Sequence, residues 1–224
     1  MSLRRDKPTL DLIGAVLDAI LAFSGAENLA AAGADLDAAV GDLRADAQGL
    51  LRQAALFTPL ARCFSLAQQT GMTVDTMERL RATIAGLSTA DARAALVQSR
   101  SQMFCCIQEA RITAATTYTS RNEVDRVLGL VAAAFDLSQS AAADAGDAAG
   151  YRALVGLRAA MVRDLTDRSR PLPKLVTYTF GRIRSSLTLA QRLYGDAGRA
   201  DEIIAENEIV HPLFAPRAGR ALSA

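Results

Sequence analysis

The sequence predicts a mainly α protein: a multi-helix bundle that ends in a small C-terminal α+β module. Three observations lead there. Half of the 224 residues are hydrophobic, yet aromatics make up only 5%, tryptophan is absent and alanine supplies much of the apolar fraction. Alanine favours helix and lets helices approach closely, but it buries little area per residue. Apolar residues also recur at steps of three and four from Leu10 to Leu165, the period of a helix face. The pattern then breaks at "DRSRPLPKLVTYTFGR", where two prolines precede a β-branched and aromatic run.

The first predicted helix, residues 9–23, places Leu10, Ile13, Leu17 and Leu21 on one face. Basic residues before this apolar stretch mimic a signal peptide, but Asp11 and Asp18 interrupt it at helical spacing, which favours an amphipathic helix. The following "SGAENLAAAGADLDAAVGD" is rich in Gly, Ala and Asp and weakly patterned, so it reads as a flexible segment at about residues 24–45. A helix is predicted from near Asp46 to about Phe57, with a restart at Thr58-Pro59, since Thr caps well and Pro suits the first helical position. Leu60, Cys63, Phe64 and Ala67 form the stripe, and Gly71 fits the C-terminal cap. Thr73 opens a helix carrying Val74, Met77, Leu80, Ile84 and Leu87.

Ser88 with Asp91, and Ser120 with Glu123, resemble capping boxes. The long helix between them aligns Ala92, Leu96, Ser99, Met103, Cys106, Ala110 and Ala114, a stripe small enough for a close helical partner. Next comes a helix with Val124, Val127, Leu128, Val131, Ala134 and Phe135 inward. After "SAAADAGDAAG" another turns Tyr151, Leu154, Val155, Arg158, Met161, Val162 and Leu165 to one side. Pro171 and Pro173 end it, Leu175 to Phe180 suits a short strand, and a helix over Ser186–Tyr194 leads through Gly195-Asp196 to a short helix ending near Asn207. The chain finishes extended. These signals divide it into a helical body, residues 1–170, and a module, residues 171–224. The narrow, alanine-rich stripes suit either an internal core or a bundle completed by other subunits.

The net charge of +1 argues against a dedicated nucleic-acid binder and gives no reason to expect an anionic membrane surface. No apolar run is long enough for a transmembrane helix. Cys63, Cys105 and Cys106 make an odd count without metal-type spacing and read as reduced, buried thiols of a reducing cytoplasm. Nucleophile-elbow, Walker and dinucleotide motifs are absent, and no cofactor is implied.

One segment imitates a metal or acid/base site: "YGDAGRADEIIAENEIVH" brings together Asp196, Asp201, Glu202, Asn207 and His211, the single histidine. Each has a local structural role as an alternative. Asp196 suits an N-cap, Asp201 and Glu202 suit the first turn of a helix, and Asn207 suits a left-handed helix end. A zinc site needs three or four ligands at fixed spacing, which this segment lacks. No residue is therefore assigned to catalysis, a cofactor or a metal. Tyr194, Ile203, Ile204, Leu213 and Phe214 are the candidates for anchoring the module and meeting a protein partner, with Leu213 and Phe214 on the extended tail. Arg182, Arg184 and Arg192 are candidate phosphate contacts, without the interleaved aromatics that single-strand binding favours.

Arg158, Arg163-Asp164-Leu165, Pro173, Leu193-Tyr194-Gly195-Asp196, Arg199-Ala200-Asp201-Glu202-Ile203, Asn207 and His211-Pro212 form a pattern that resembles the end of the DNA circulation (circularisation) protein family of Mu-like phages and prophages. It covers roughly residues 145–216. The resemblance implies a baseplate component of a contractile tail, virion-borne and assembled in the bacterial cytoplasm. Other tail proteins and copies of itself in a ring would be its partners, and it would have no membrane role. It implies correspondence to the C-terminal helical half of proteins that begin with a β-rich domain. The family name implies an alternative, a DNA-end-binding protein aiding circularisation of injected DNA. "YGDAGRADEIIAENEI" followed by Pro216-Arg217-Ala218-Gly219 also resembles LysM-like modules, in which two short helices lie against a strand pair. The strict form of that module would imply glycan binding, but its usual first-strand signature is not visible.

Overall fold

A computed structural model describes residues 3–24 and 30–223. The elements run α1 (Leu3–Phe23), α2 (Ala30–Arg52), α3 (Phe57–Gln69), α4 (Val74–Ala85), α5 (Ala92–Ala115), α6 (Arg121–Asp144) and α7 (Ala148–Ser169). Then follow β1 (Leu175–Thr179), α8 (Ser186–Tyr194), a 3-10 turn (Ala197–Arg199), α9 (Ala200–Glu206) and β2 (Ala218–Leu222). The chain is thus mainly α with a small two-stranded module. It divides into two units, Met1–Thr116 with Val127–Leu165, and Thr117–Arg126 with Thr166–Ala224. The second unit therefore takes in ten residues from the start of α6 and the turn before it, which the boundary near residue 170 leaves with the helical body. The tie is physical: Arg121 N donates to Pro173 O at 2.8 Å, and Leu175 N donates to Asn122 Oδ1 at 2.7 Å.

In the first unit, α5 lies at the centre and packs against α1, α3 and α4. Its buried positions are not confined to one stripe. Val97, Ser101, Gln102, Cys105, Cys106, Gln108, Glu109 and Thr113 are all enclosed, as befits a helix surrounded on several sides. The flexible segment expected at 24–45 is helical from Ala30 onward. Leu36, Val40, Leu43 and Ala47 fall on one face and are buried, and alanine propensity carries the helix through Gly33 and Gly41. The start of that segment, residues 25–29, lies outside the described residues. An ion pair between Arg44 and Asp18 joins α2 to α1.

The break between α2 and α3 falls at residues 53–56, earlier than the Thr58-Pro59 restart. Pro59 sits in the first turn of α3, where backbone N–H groups have no intrahelical acceptor and proline removes nothing. Gly71 adopts φ +94, consistent with a helix-ending position. Thr73 caps α4 by accepting from Thr76 N at 3.2 Å. Asp91, not Ser88, caps α5, accepting from Ala94 N at 2.8 Å. Ser120 accepts from Glu123 N, while the Glu123 carboxylate receives Thr119 N. On α7, Leu154, Met161 and Leu165 of the expected stripe are buried, while Tyr151, Val155 and Val162 of the same stripe are exposed.

In the second unit, β1 and β2 are antiparallel, with Leu175 opposite Leu222 and Thr179 opposite Ala218. The pairing continues irregularly: Phe180 N donates to Arg217 O, and Ala215 N to Arg184 O. The order strand, helix, helix, strand is that of the LysM-like arrangement. Tyr178, Leu189, Ala190, Ala200, Ile203, Ala215 and Ala221 form the core, flanked by Phe180, Leu193, Tyr194 and Ile209.

Candidate functional site

The motif residues of the second unit are engaged in building it. Ser185 caps α8 by accepting from Thr188 N. Gly195, at φ +72, ends that helix in a conformation that L side chains rarely adopt. Asp196 caps the 3-10 turn by accepting from Gly198 N at 2.8 Å. The Tyr194 ring lies 3.8 Å from the Arg199 guanidinium, and its hydroxyl accepts from Leu222 N. Arg199 in turn grips Glu202 through two bonds of 2.8 Å. That contact holds the Glu202 carboxyl below its usual range and the Arg199 guanidinium above its own.

Asn207 does something the sequence did not suggest. Its backbone is not left-handed; Glu208 takes that conformation, at φ +49. The Asn207 amide instead clamps β2: Oδ1 accepts from Arg220 N at 2.7 Å, and Nδ2 donates to Arg220 O at 2.7 Å and Ile203 O at 2.8 Å. A side-chain amide here completes the edge of a strand. Gly219 lies under the clamp, where an added Cβ would come within 2.3 Å of Asn207 Oδ1.

His211 stands apart from these groups. It is exposed, its Nδ1 accepts from Leu213 N at 3.3 Å, and its ring lies 5.2 Å from that of Phe214. The structure does not bring Asp196, Asp201, Glu202 and Asn207 together with it. No group of three or more His, Cys, Asp or Glu among the described residues is arranged to hold a metal ion.

The interaction candidates separate into two sets. Ile203 is wholly buried in the core and Tyr194 packs half-buried against it, so these two hold the unit together, while Ile204 is half-buried. Leu213 and Phe214 are each more than half exposed. Ile183 and Leu187 are as exposed, and Val210 almost wholly so. Ser186 N donates to Pro212 O at 2.7 Å, which sets the β1–α8 connection alongside the α9–β2 connection and collects these side chains at one end of the unit. Ile183 and Leu187 escaped sequence reasoning. The available signal was Leu187 falling off the helix face defined by Leu189, Ala190 and Leu193.

The phosphate candidates lie on and before α8. Arg182 and Arg184 precede α8, while Arg192 lies in its last turn, about 10 Å along the axis at the usual helical rise. A cleft of about 450 Å³ lined by Ser120, Asn122, Glu123, Leu175, Glu206 and Arg220 is also present in this unit. Its Asn122 and Glu123 side chains already serve backbone donors.

The first unit holds a buried polar cluster that no motif announces. Arg81, on α4, is almost fully buried and donates twice to Glu78 at 2.6 Å. Glu109, on α5, is fully buried, and neither carboxylate oxygen has a hydrogen-bond partner. Burial, reinforced by the Glu78 charge and opposed by Arg81, pushes its carboxyl up to about 8. Cys106 lies nearby, with Sγ 3.2 Å from Ser138 Oγ of α6. All three cysteines are free and buried, and burial raises each thiol, Cys63 to about 11. Raised thiols are poor nucleophiles. Among the described residues, no helix is long and apolar enough to cross a membrane.

No protein-family model matches the chain, and no curated protein matches it significantly.

Proposed function

We infer that the chain is a non-enzymatic structural protein of a phage or prophage tail, acting at the baseplate by protein–protein assembly. The observation that carries this reading is the set of exposed apolar side chains, Ile183, Leu187, Val210, Leu213 and Phe214, at one end of the second unit. Large exposed apolar groups gathered on one surface mark interaction sites more often than chance exposure does. The Leu-Tyr-Gly-Asp and Asn-x-x-x-His-Pro pattern, which resembles the DNA circulation family, supports the placement in a tail. Its Tyr194, Gly195, Asp196 and Asn207 fold the unit that presents the apolar end. Neighbouring tail proteins bind at that end, and copies of the chain assemble into a ring in the bacterial cytoplasm before joining the virion.

The test is genetic and visual. Removing the coding sequence from the prophage that carries it, followed by induction, is expected to yield heads with tails that lack a finished baseplate under the electron microscope. Normal, infectious particles from the deletion would refute the reading.

A further inference from the structure

The assembly reading leaves open what kind of surface meets the apolar end. The two connections that build that end, residues 180–185 and 207–217, contain three arginines, Arg182, Arg184 and Arg217, against one acidic residue, Glu208, which directly follows α9. Arg182 and Arg217 are exposed and Arg184 is half-buried. None of the three has a carboxylate partner among the described residues. Arg184 Nε is buried and has no hydrogen-bond acceptor. Arg217 crosses from one connection to the other by donating to Gly181 O, which draws its charge to the same end. A buried N–H with no acceptor is costly unless something supplies one.

We propose that this end of the second unit docks an acidic, apolar-anchored segment of another tail protein, with Ile183, Leu187, Leu213 and Phe214 receiving its apolar side chains and Arg182, Arg184 and Arg217 its carboxylates. The proposal rests on the assembly reading and specifies the chemistry of the partner. Exposed apolar side chains and cations on the same two connections suit a protein partner, in which apolar groups are buried on binding and charges select the partner. A nucleic-acid surface would instead present polar and cationic groups along a backbone track. Arginine suits the role because its planar fork matches a carboxylate bidentately.

The test uses the full chain and fluorescence anisotropy. The probe is a labelled amphipathic peptide with leucine or phenylalanine at i, i+3, i+4 and i+7 and glutamate at the other positions. Two further probes are its lysine-for-glutamate counterpart and a short DNA duplex. The glutamate peptide is expected to bind, to weaken several-fold between about 50 and 300 mM salt, and to lose about tenfold in affinity with Arg182→Glu. Arg182 is exposed and its side chain has no bonding partner among the described residues, so this variant keeps its structure; an unchanged melting temperature checks that. Leu213→Ser with Phe214→Ser is expected to abolish binding. Equal or tighter binding of the lysine peptide, indifference to Arg182→Glu, no binding by either peptide, or duplex binding that competes with the peptide would each overturn the proposal. The lysine-peptide result would leave the assembly reading intact, because that reading is tested separately, by the prophage deletion and its complementation.

Discussion

Replacing Glu109 with Gln should change how stability depends on pH. The carboxyl of Glu109 is fully enclosed on α5 and accepts no hydrogen bond. Arg81 lies close enough to lower its pKa, but that guanidinium already grips Glu78, and its Nη1 makes no bond at all. Burial therefore wins and lifts the carboxyl from 4.5 to about 8. In the unfolded chain it returns to the ordinary value. Between these two values the folded form holds a proton that the unfolded form releases. The resulting stabilisation is fully present below pH 4.5 and is lost as pH rises towards 8. One proton corresponds to about 1.4 kcal/mol per pH unit, so the loss across the window is at most about 5 kcal/mol. Glutamine keeps the size of the side chain and does not titrate. Urea unfolding at intervals from pH 5 to 8 should show Glu109→Gln gaining on the native chain by several kcal/mol. Parallel stability curves, or a native chain that gains on the variant as pH rises, would refute the reasoning. Parallel curves would mean that Glu109 is already ionised in the folded chain at pH 5 and paired with Arg81.

Asn207→Ala removes two hydrogen bonds to Arg220 of β2 and one back to Ile203 of α9, and should destabilise the second unit by about 1–3 kcal/mol, read from thermal melting. Gly219→Ala drives a methyl group into Asn207 and the Tyr178 hydroxyl, 2.8 Å away, and should cost about 1–3 kcal/mol. Part of that cost should vanish when Asn207→Ala is already present, because one obstruction is then gone; strictly additive losses would count against the clamp. In the first unit, Asp147 caps α7 through Gly150 N and takes Arg100 Nη2 at 2.8 Å. Asp147→Ala should therefore cost about 2–4 kcal/mol in denaturant unfolding, well beyond the loss of a cap alone.

The helices that sequence reveals best are those with a strong local signal. Thr73 and Gly71 mark their positions because a hydroxyl cap and a left-handed glycine leave few alternatives. α2 was hidden because alanine, glycine and aspartate carry little apolar contrast; its face of Leu36, Val40 and Leu43 becomes meaningful only once α1 and α3 cover it. The outward turn of Tyr151, Val155 and Val162 on α7 was equally illegible. A helix apolar on two sides does not say which side its neighbours occupy. In the second unit the ends of α8 could be read from Ser185 and Gly195, but the Asn207 clamp joins residues far apart in sequence and has no local pattern. Glu109 shows the same limit, since nothing in a single helix indicates that all its sides are enclosed.

The most direct measurement is complementation of the prophage deletion by the chain carrying Leu213→Ser and Phe214→Ser. Both side chains are largely exposed, so the variant should match the native melting temperature. It should nevertheless fail to restore finished baseplates or infectious particles. Full restoration by this folded variant would show that the apolar end is not where the chain meets its neighbours.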